Sequence, residues 1–456
     1  MGDADWIVAA LGFSAREALL FAAIGFLIGG IDDLAVDFLW LRHKLRGRLR
    51  PISAVQLPPP ARPMAIFVPA WDESIVIGAM LAHLSERLGE PDLTIFVGTY
   101  PNDPATIHAV ARAAEHDPRI RLVVLRRAGP TTKADCLNGL WHALRRDEWR
   151  NHRRYAGVVL HDAEDVVHPL ELRVLGAMLV DHHAAQLPVH PLPVPGSPLV
   201  SGHYCDEFAE AHAKQMPVRD ALGAALPLAG VGCAIRRDVL ASIARQRDGD
   251  PFDATSLTED YELGFAVARD GGRVGFARAF DASGNLISVR AYFPATIDAA
   301  VRQKARWMAG IALAGWDRTG WGARASLAEW WMRMRDRRAL LAVVTLVSAY
   351  LGLLLTGILF GVAGIEATRS FGSFEPLLFL TSALLLWRVA MRMWWVAQAY
   401  GRRTALLVLP RLIVGNIIAM LAARRATGQY WRLLRGQAPQ WDKTAHHFPS
   451  PTEIAG

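Results

Sequence analysis

Asp162-Ala163-Glu164 follows directly on the apolar run Val158-Val159-Leu160. On an extended backbone residues i and i+2 point the same way, so the two carboxylates can share one divalent cation. Hard oxygen ligands suit Mg2+ or Mn2+, and phosphate oxygens can complete the shell. An isolated triplet of this kind is most often a solvated turn. Its place at a strand end favours the metal reading, with Asp165 as a rival to Glu164. A second acidic motif, Thr258-Glu259-Asp260, precedes the apolar helical pattern Tyr261–Val267. Acids are welcome at any helix N-terminus, but Asp260 there can also act as a general base toward a hydroxyl. Gln303, Arg306 and Trp307 recur at i, i+3 and i+4, which is one helical face. A guanidinium fork beside an aromatic plate can hold a diphosphate and stack a sugar ring. The plainer reading, a helix lying on a membrane with Trp307 as its anchor, is compatible with it.

These residues need elements to position them. Met64–Pro69, Leu93–Thr99, Arg121–Leu125 and Gly157–His161 are short apolar runs and read as strands. Helical patterns lie between them at Ile75–Leu88, Ala105–Glu115 and Lys133–Arg146. Strands alternating with helices imply parallel βαβ units, and such sheets place ligands at the C-terminal strand ends. Polar clusters stand at those ends: Asp72-Glu73 after the first, Asn102-Asp103 after the second and Asp162–Asp165 after the fourth. Asp72 and Asp103 each read equally well as helix N-caps. No GxGxxG or P-loop occurs in this block, which argues against a dehydrogenase or a kinase. Leu187–Pro198, with five prolines, reads as an irregular loop without ligand function.

The chain is basic, with Lys+Arg 50 against Asp+Glu 43. Its positive charge gathers in Arg42–Arg50, Arg333–Arg338 and Arg424–Arg435, each beside an apolar run. That is the pattern of a cytoplasmic membrane edge, so the expected partner is a lipid bilayer and no nucleic acid is expected. Ala18–Trp40, Ala339–Gly364 and Pro376–Tyr400 are long enough to cross. Basic residues follow the first span, which places everything after it in the cytoplasm. Asp32, Asp33 and Asp37 weaken that span unless they lie at the interface or face a bundle interior, and Arg388 and Arg392 require their span to pack inward or snorkel. Ala405–Ala423 contains Pro410, Arg411 and Asn416 and reads as an interfacial helix, with a fourth span as the alternative. The expected division is residues 1–50 as first span and basic edge and 51–335 as cytoplasmic domain. Residues 336–403 then hold two spans, and 404–456 an interfacial helix and cytoplasmic tail. Cys136, Cys205 and Cys233 have no disulfide or metal spacing. They suit a reduced, cytosol-facing domain, and His203 beside Cys205 reads as a buried residue rather than half a zinc site.

In order and spacing, Asp72-Glu73, Asp162-Ala163-Glu164, Thr258-Glu259-Asp260 and Gln303–Trp307 resemble the signature motifs of family 2 glycosyltransferases of the GT-A fold. The resemblance implies an α/β Rossmann-like, mostly parallel domain joined to transmembrane and interfacial helices, as in processive polysaccharide synthases. It further implies inverting transfer from a nucleotide-sugar donor, with Mg2+ or Mn2+ on Asp162 and Glu164 and with Asp260, Glu259 and Asp162 as catalytic residues. Asp72, Glu73, Asn102, Asp103, Lys133, Asn138, Gln303 and Arg306 would contact the donor. Trp307 and Gly230-Val231-Gly232 would contact a glycan or lipid-linked acceptor. Glu164 departs from the commoner Asp. Val97–Asp103, Gly129–Asn138, His161–Val166 and Trp441–Pro449 look like the catalytic half of the bacteriophage adsorption protein B family. That narrower likeness implies an inner-membrane enzyme, a UDP-N-acetylhexosamine donor, and a surface polysaccharide with an outer-membrane export partner. Some members carry a C-terminal sensor of cyclic di-GMP, and this sequence has no segment for it, so control by that nucleotide is not expected. Trp441-Asp442-Lys443-Thr444 resembles the tail that gates the donor site of processive synthases. The rival readings are a transferase adding one sugar to a lipid carrier and a non-enzymatic component of an export complex.

Overall fold

The computed structural model describes residues 3–90, 92–322, 326–364, 374–437, 447–450 and 453. Met64–Pro69 (β1), Leu93–Thr99 (β2), Ile120–Val124 (β3) and Gly157–Leu160 (β4) lie in parallel in the order β3-β2-β1-β4. β1, β2 and β4 are buried along their whole length, which is why they read as unbroken apolar runs rather than as alternation. Ala184–Gln186 (β5), Cys233–Arg236 (β6) and Val274–Phe276 (β7) extend the sheet to β3-β2-β1-β4-β6-β5-β7. β6 runs antiparallel to β4 and β5, and β7 runs parallel to β5.

Each face of β1 has its own core. Ile66 and Val68 pack with Ile77, Met80 and Leu84 of the helix Ile77–Arg87. Phe67 packs on the opposite face with Leu137, Trp141 and Leu144 of the helix Lys133–Arg150. Burying each such side chain stabilises the fold by about 1.5–3 kcal/mol. The sheet is therefore rigid on both faces, and its C-terminal edge is a fixed platform.

The proline-rich stretch is more ordered than its composition suggests. Val189–Leu192 forms a strand paired in parallel with Val289–Tyr292, so the irregular-loop expectation is corrected there. This ribbon has only two strands, which leaves Pro191 an edge where its missing N–H costs nothing. The Pro191 carbonyl instead accepts from the Tyr400 hydroxyl at 2.7 Å.

Among the described residues three helices are long and apolar enough to cross a membrane: Trp6–Leu45 within Asp3–Leu45, Ala339–Ala363 and Glu375–Tyr400. Their charged residues face one another, as buried ions must. Asp33 pairs with Arg388 and, at 3.0 to 3.1 Å, with Arg338 and Arg335. Asp37 holds Lys214 at 2.5 Å, and Arg392 holds Glu210 at 3.1 Å. These acids of the first helix face the bundle interior and clamp the long helices to the α/β unit. Val408–Leu434 is a further long helix, displaced from the expected Ala405–Ala423. Its Ala422 and Ala426 meet Ala305 and Ala309, and its buried Arg411 pairs with Asp206 at 2.8 Å.

Candidate active site

Asp162 and Glu164 stand just beyond β4, and Gly230–Gly232 lead into β6, which enters from the same edge because it runs antiparallel. Residues 162–165 form a turn closed by the Asp165 N–H on the Asp162 carbonyl at 3.3 Å. The extended backbone expected for this triplet is corrected accordingly, yet both carboxylates face one cavity. That cavity holds about 890 Å³, the range of small-molecule sites. Lys133, Asp162, Glu164, Glu259, Asp260 and Arg306 line it, with Gln303, Trp307 and Val231.

Thr258 precedes the helix Glu259–Arg269, so Glu259 and Asp260 fill its first turn. Ile297–Met308 carries Gln303, Arg306 and Trp307 and runs into a wide π turn, Ala309–Leu313. Gly310 in that turn lets the helix close on Thr258, because a Cβ there would stand 2.6 Å from the Thr258 side chain. The two motifs are thus locked together by a glycine.

Charge is concentrated here. Lys133 Nζ lies 2.5 Å from Asp162 Oδ1. Burial works against the Lys133 charge, but Asp162, Glu259 and Asp260 outweigh it and hold the ammonium well above its ordinary range. Burial, then the neighbouring Asp260 charge, push Glu259 up to about 7. Burial also raises Asp260, against the pull of Lys133 and Arg306. Arg306 makes no ion pair or hydrogen bond among the described residues. Gln303 Oε1 is buried without a hydrogen-bond partner among them. A guanidinium and an amide left open in a cavity are groups prepared for a ligand.

The cavity suits a cation carried in by such a ligand. Asp162 and Glu164 supply hard oxygens, and no group of three or more His, Cys, Asp or Glu forms a complete site among the described residues. The remaining coordination positions would have to come from the ligand and water.

Beneath this pair lies a device that pattern reading missed. His161 is fully buried, with Nδ1 2.9 Å from Asp165 Oδ2 and Nε2 2.8 Å from Glu171 Oε1. Burial opposes its charge, but Glu171 and Asp165 overcome that and raise it to about 10. Asp165 Oδ2 also accepts the Asp162 N–H at 2.9 Å. Asp165 therefore fixes the turn through one oxygen while lining the same cavity as Asp162 and Glu164. The only hint in the sequence was a His immediately before an acidic triplet.

The remaining expected residues divide. Asp103 caps the helix Pro104–His116 by accepting from Thr106 N at 3.2 Å, and its other oxygen takes the Asp72 N–H at 2.6 Å. Asp72 adopts φ 54° and caps no helix, while the Glu73 N–H donates to Thr106 Oγ1 at 3.0 Å. Asn102 clasps Gly129 by two hydrogen bonds of 2.7 and 2.8 Å. Asn138 is buried, and both ends of its amide bond the Phe252 backbone at 2.8 and 3.0 Å. These five stand at the same sheet edge but do not line the cavity. Cys136, Cys205 and Cys233 are buried free thiols. Trp441–Thr444 lies outside the described residues, while His447 and Phe448 line the cavity.

Gly230 has φ +74°, and a Cβ there would stand 2.5 Å from Asp260 Oδ2. Gly230→Ala should cost about 1–3 kcal/mol of stability from backbone strain and displace the Asp260 carboxylate. Thermal unfolding together with turnover would show it, and an unchanged melting point would refute the close approach.

Residues 59–310 match the family model "Glycosyltransferase like family 2". Bacteriophage adsorption protein B of Escherichia coli (strain K12) and bacteriophage N4 adsorption protein B of Escherichia coli O157:H7 are each 33% identical over 98% of this chain. The chain spans 64% of the length of either relative. A mannosyltransferase from Pyrobaculum calidifontis, solved with GDP-Man and Mn2+, shares the fold at TM-score 0.52 and 17% identity, over 86% of this chain and 99% of that one. The motif-bearing sheet edge and the matched span coincide: this chain belongs to the glycosyltransferase-like family 2, with a GT-A fold.

Proposed function

We propose that the chain is an inverting glycosyltransferase that moves a sugar from a nucleoside diphosphate donor to the hydroxyl of a glycan or lipid-linked acceptor. The observation that carries this is the convergence on one cavity of Asp162, Glu164, Asp260 and Arg306, the last unpaired among the described residues. A divalent cation held by Asp162 and Glu164 would supply charge neutralisation to the departing diphosphate. Arg306 and Gln303 grip diphosphate oxygens, and Lys133 balances the buried acids. Asp260 accepts the proton of the acceptor hydroxyl as its oxygen attacks the anomeric carbon. The bond from that carbon to the diphosphate breaks with its electron pair leaving on the diphosphate, and one displacement inverts the configuration. Trp307 and the Gly230–Gly232 loop cradle the acceptor. Asp72, Glu73, Asn102, Asp103 and Asn138 shape the nucleotide side through the backbone they hold.

In this reading the cavity faces the cytoplasm of a bacterial inner membrane, with the three long helices spanning it. The product is a surface or secreted polysaccharide passed to an export partner, and a UDP-N-acetylhexosamine is the donor of choice. The similarity to phage adsorption proteins supports a cell-surface product.

A base must be ionised to work. Burial raises Asp260 above the usual carboxylate range, so the base is lost at a higher pH than an ordinary aspartate would set. kcat/KM should therefore decline on the acid side, approaching about tenfold per pH unit. A pH–rate profile flat down to about pH 4, the ordinary aspartate value, would contradict the base assignment.

A further inference from the structure

The Asp162–Asp165 turn carries both acids proposed to hold the cation, and it is moored from the protein side. His161 extends the β4 ladder by one rung, its N–H donating to the Phe67 carbonyl at 3.1 Å. Its ring is fully buried and stands outside the cavity lining. Nδ1 lies 2.9 Å from Asp165 Oδ2, the same oxygen that accepts the Asp162 N–H at 2.9 Å. Nε2 lies 2.8 Å from Glu171 Oε1. One imidazole therefore joins the turn to the helix Glu171–Asp181.

That helix is a fixed anchor. Its Leu172, Val174 and Leu175 pack in the same core as Ile66 and Val68 of β1. Glu171 is fully buried in the first turn, where Oε2 accepts the His168 N–H at 3.4 Å and the Glu171 N–H donates to the His168 carbonyl at 3.0 Å. Ala163, between the two proposed ligands, is buried in that core as well. Core packing holds the body of the turn, and the Asp165 contact fixes the peptide that carries Asp162. A turn that must be ordered when a cation arrives subtracts from the affinity, and partners behind the ligands remove that cost beforehand.

We propose that His161 is a positioning residue for cation binding: by tying Asp165 to Glu171 it holds the Asp162 and Glu164 carboxylates in one orientation before the cation arrives. It touches neither cation nor substrate and acts through Asp165. The proposal deepens the glycosyl-transfer reading and rests on its assignment of Asp162 and Glu164 as the cation's ligands.

The test is titration of Mn2+ alone into the purified full chain in phosphatidylcholine nanodiscs, followed by electron paramagnetic resonance, with thermal unfolding measured in EDTA. Asp162→Asn defines the share of Mn2+ bound at this site. His161→Gln carries its amide nitrogen near the place of Nε2 and keeps the Glu171 contact. His161→Asn carries it near the place of Nδ1 and keeps the Asp165 contact. Each leaves one buried carboxylate without its ring partner, so both should melt lower. His161→Gln should weaken Mn2+ binding by about tenfold or more, the loss typical of a group behind a metal ligand, whereas His161→Asn should stay close to wild type. The double variant His161→Gln/Asp165→Asn removes the buried charge left beside the turn and serves where His161→Gln does not fold. Against Asp165→Asn alone it should show the same loss. Equal Mn2+ affinity in His161→Gln and His161→Asn, or in the double variant and Asp165→Asn, would overturn the proposal and leave the cation assignment standing. Wild-type Mn2+ binding in Asp162→Asn would instead overturn the cation assignment, and this inference with it.

Discussion

Asp260→Asn should lower kcat by roughly two to four orders of magnitude, the usual contribution of a positioned general base, while leaving donor affinity close to wild type. The amide keeps the shape of the carboxylate, so the Tyr261 N–H that now donates to Asp260 Oδ1 at 2.8 Å keeps its acceptor. What disappears is the capacity to take a proton. A charge also disappears, and Lys133 then balances two acids, Asp162 and Glu259, instead of three. Glu259 should in consequence titrate lower, because its second largest upward push comes from Asp260. Single-turnover kinetics with a saturating donor measure the loss, and nucleotide binding by calorimetry measures what is kept. Wild-type turnover in this variant would remove Asp260 from the mechanism.

Asp162→Asn should be nearly as damaging, at roughly 10²–10³-fold or more in turnover, but with a different signature. Here donor affinity in the presence of Mn2+ should fall together with turnover, because one of the two carboxylates proposed to hold the cation has lost its charge. Lys133 also loses its nearest partner, which leaves a buried ammonium beside Glu259 and Asp260. The variant should fold, since the His161, Asp165 and Glu171 contacts below the turn are untouched. Donor binding with and without Mn2+ separates the two variants. If Asp162→Asn bound donor with undiminished metal dependence, the cation would have to sit elsewhere.

The parts of this account legible in the sequence were those with a long repeat or a strict spacing. Strands β1, β2 and β4 announced themselves as apolar runs because both faces are covered, while β3, partly exposed and carrying Arg121, was found from its Val and Leu content. Two of the long helices, Ala339–Ala363 and Glu375–Tyr400, were found within a residue of both ends, whereas the first begins at Asp3, well before the expected Ala18. Gln303, Arg306 and Trp307 were placed on one face by helical periodicity, and they do line one cavity. Strands β5, β6 and β7 have three or four residues each, too few to show a period of two. The strand at Val189–Leu192 was hidden by its proline. Asn138 illustrates another limit. The resemblance to family 2 glycosyltransferases implied a donor contact for it, and its amide is found holding Phe252, 114 residues away. No local pattern reports a partner at that separation. His161 was invisible for a related reason, because its two carboxylates come from a turn and from the next helix.

The charged residues in the apolar helices were read more successfully. Asp32, Asp33, Asp37, Arg388 and Arg392 required partners in a low-dielectric setting, and the structure pairs Asp33 with Arg388, Asp32 with Arg335, Asp37 with Lys214 and Arg392 with Glu210. The same principle marks the exception. Arg306 lacks a carboxylate partner among the described residues, and it lines the cavity where a phosphorylated ligand is proposed.

The most direct test incubates the purified full chain in nanodiscs with a panel of UDP- and GDP-sugars, with Mn2+ or with EDTA, and follows nucleoside diphosphate release. The account predicts release from at least one donor with Mn2+, and none with EDTA or in Asp162→Asn. Release that ignores EDTA, or no release from any donor, would contradict it.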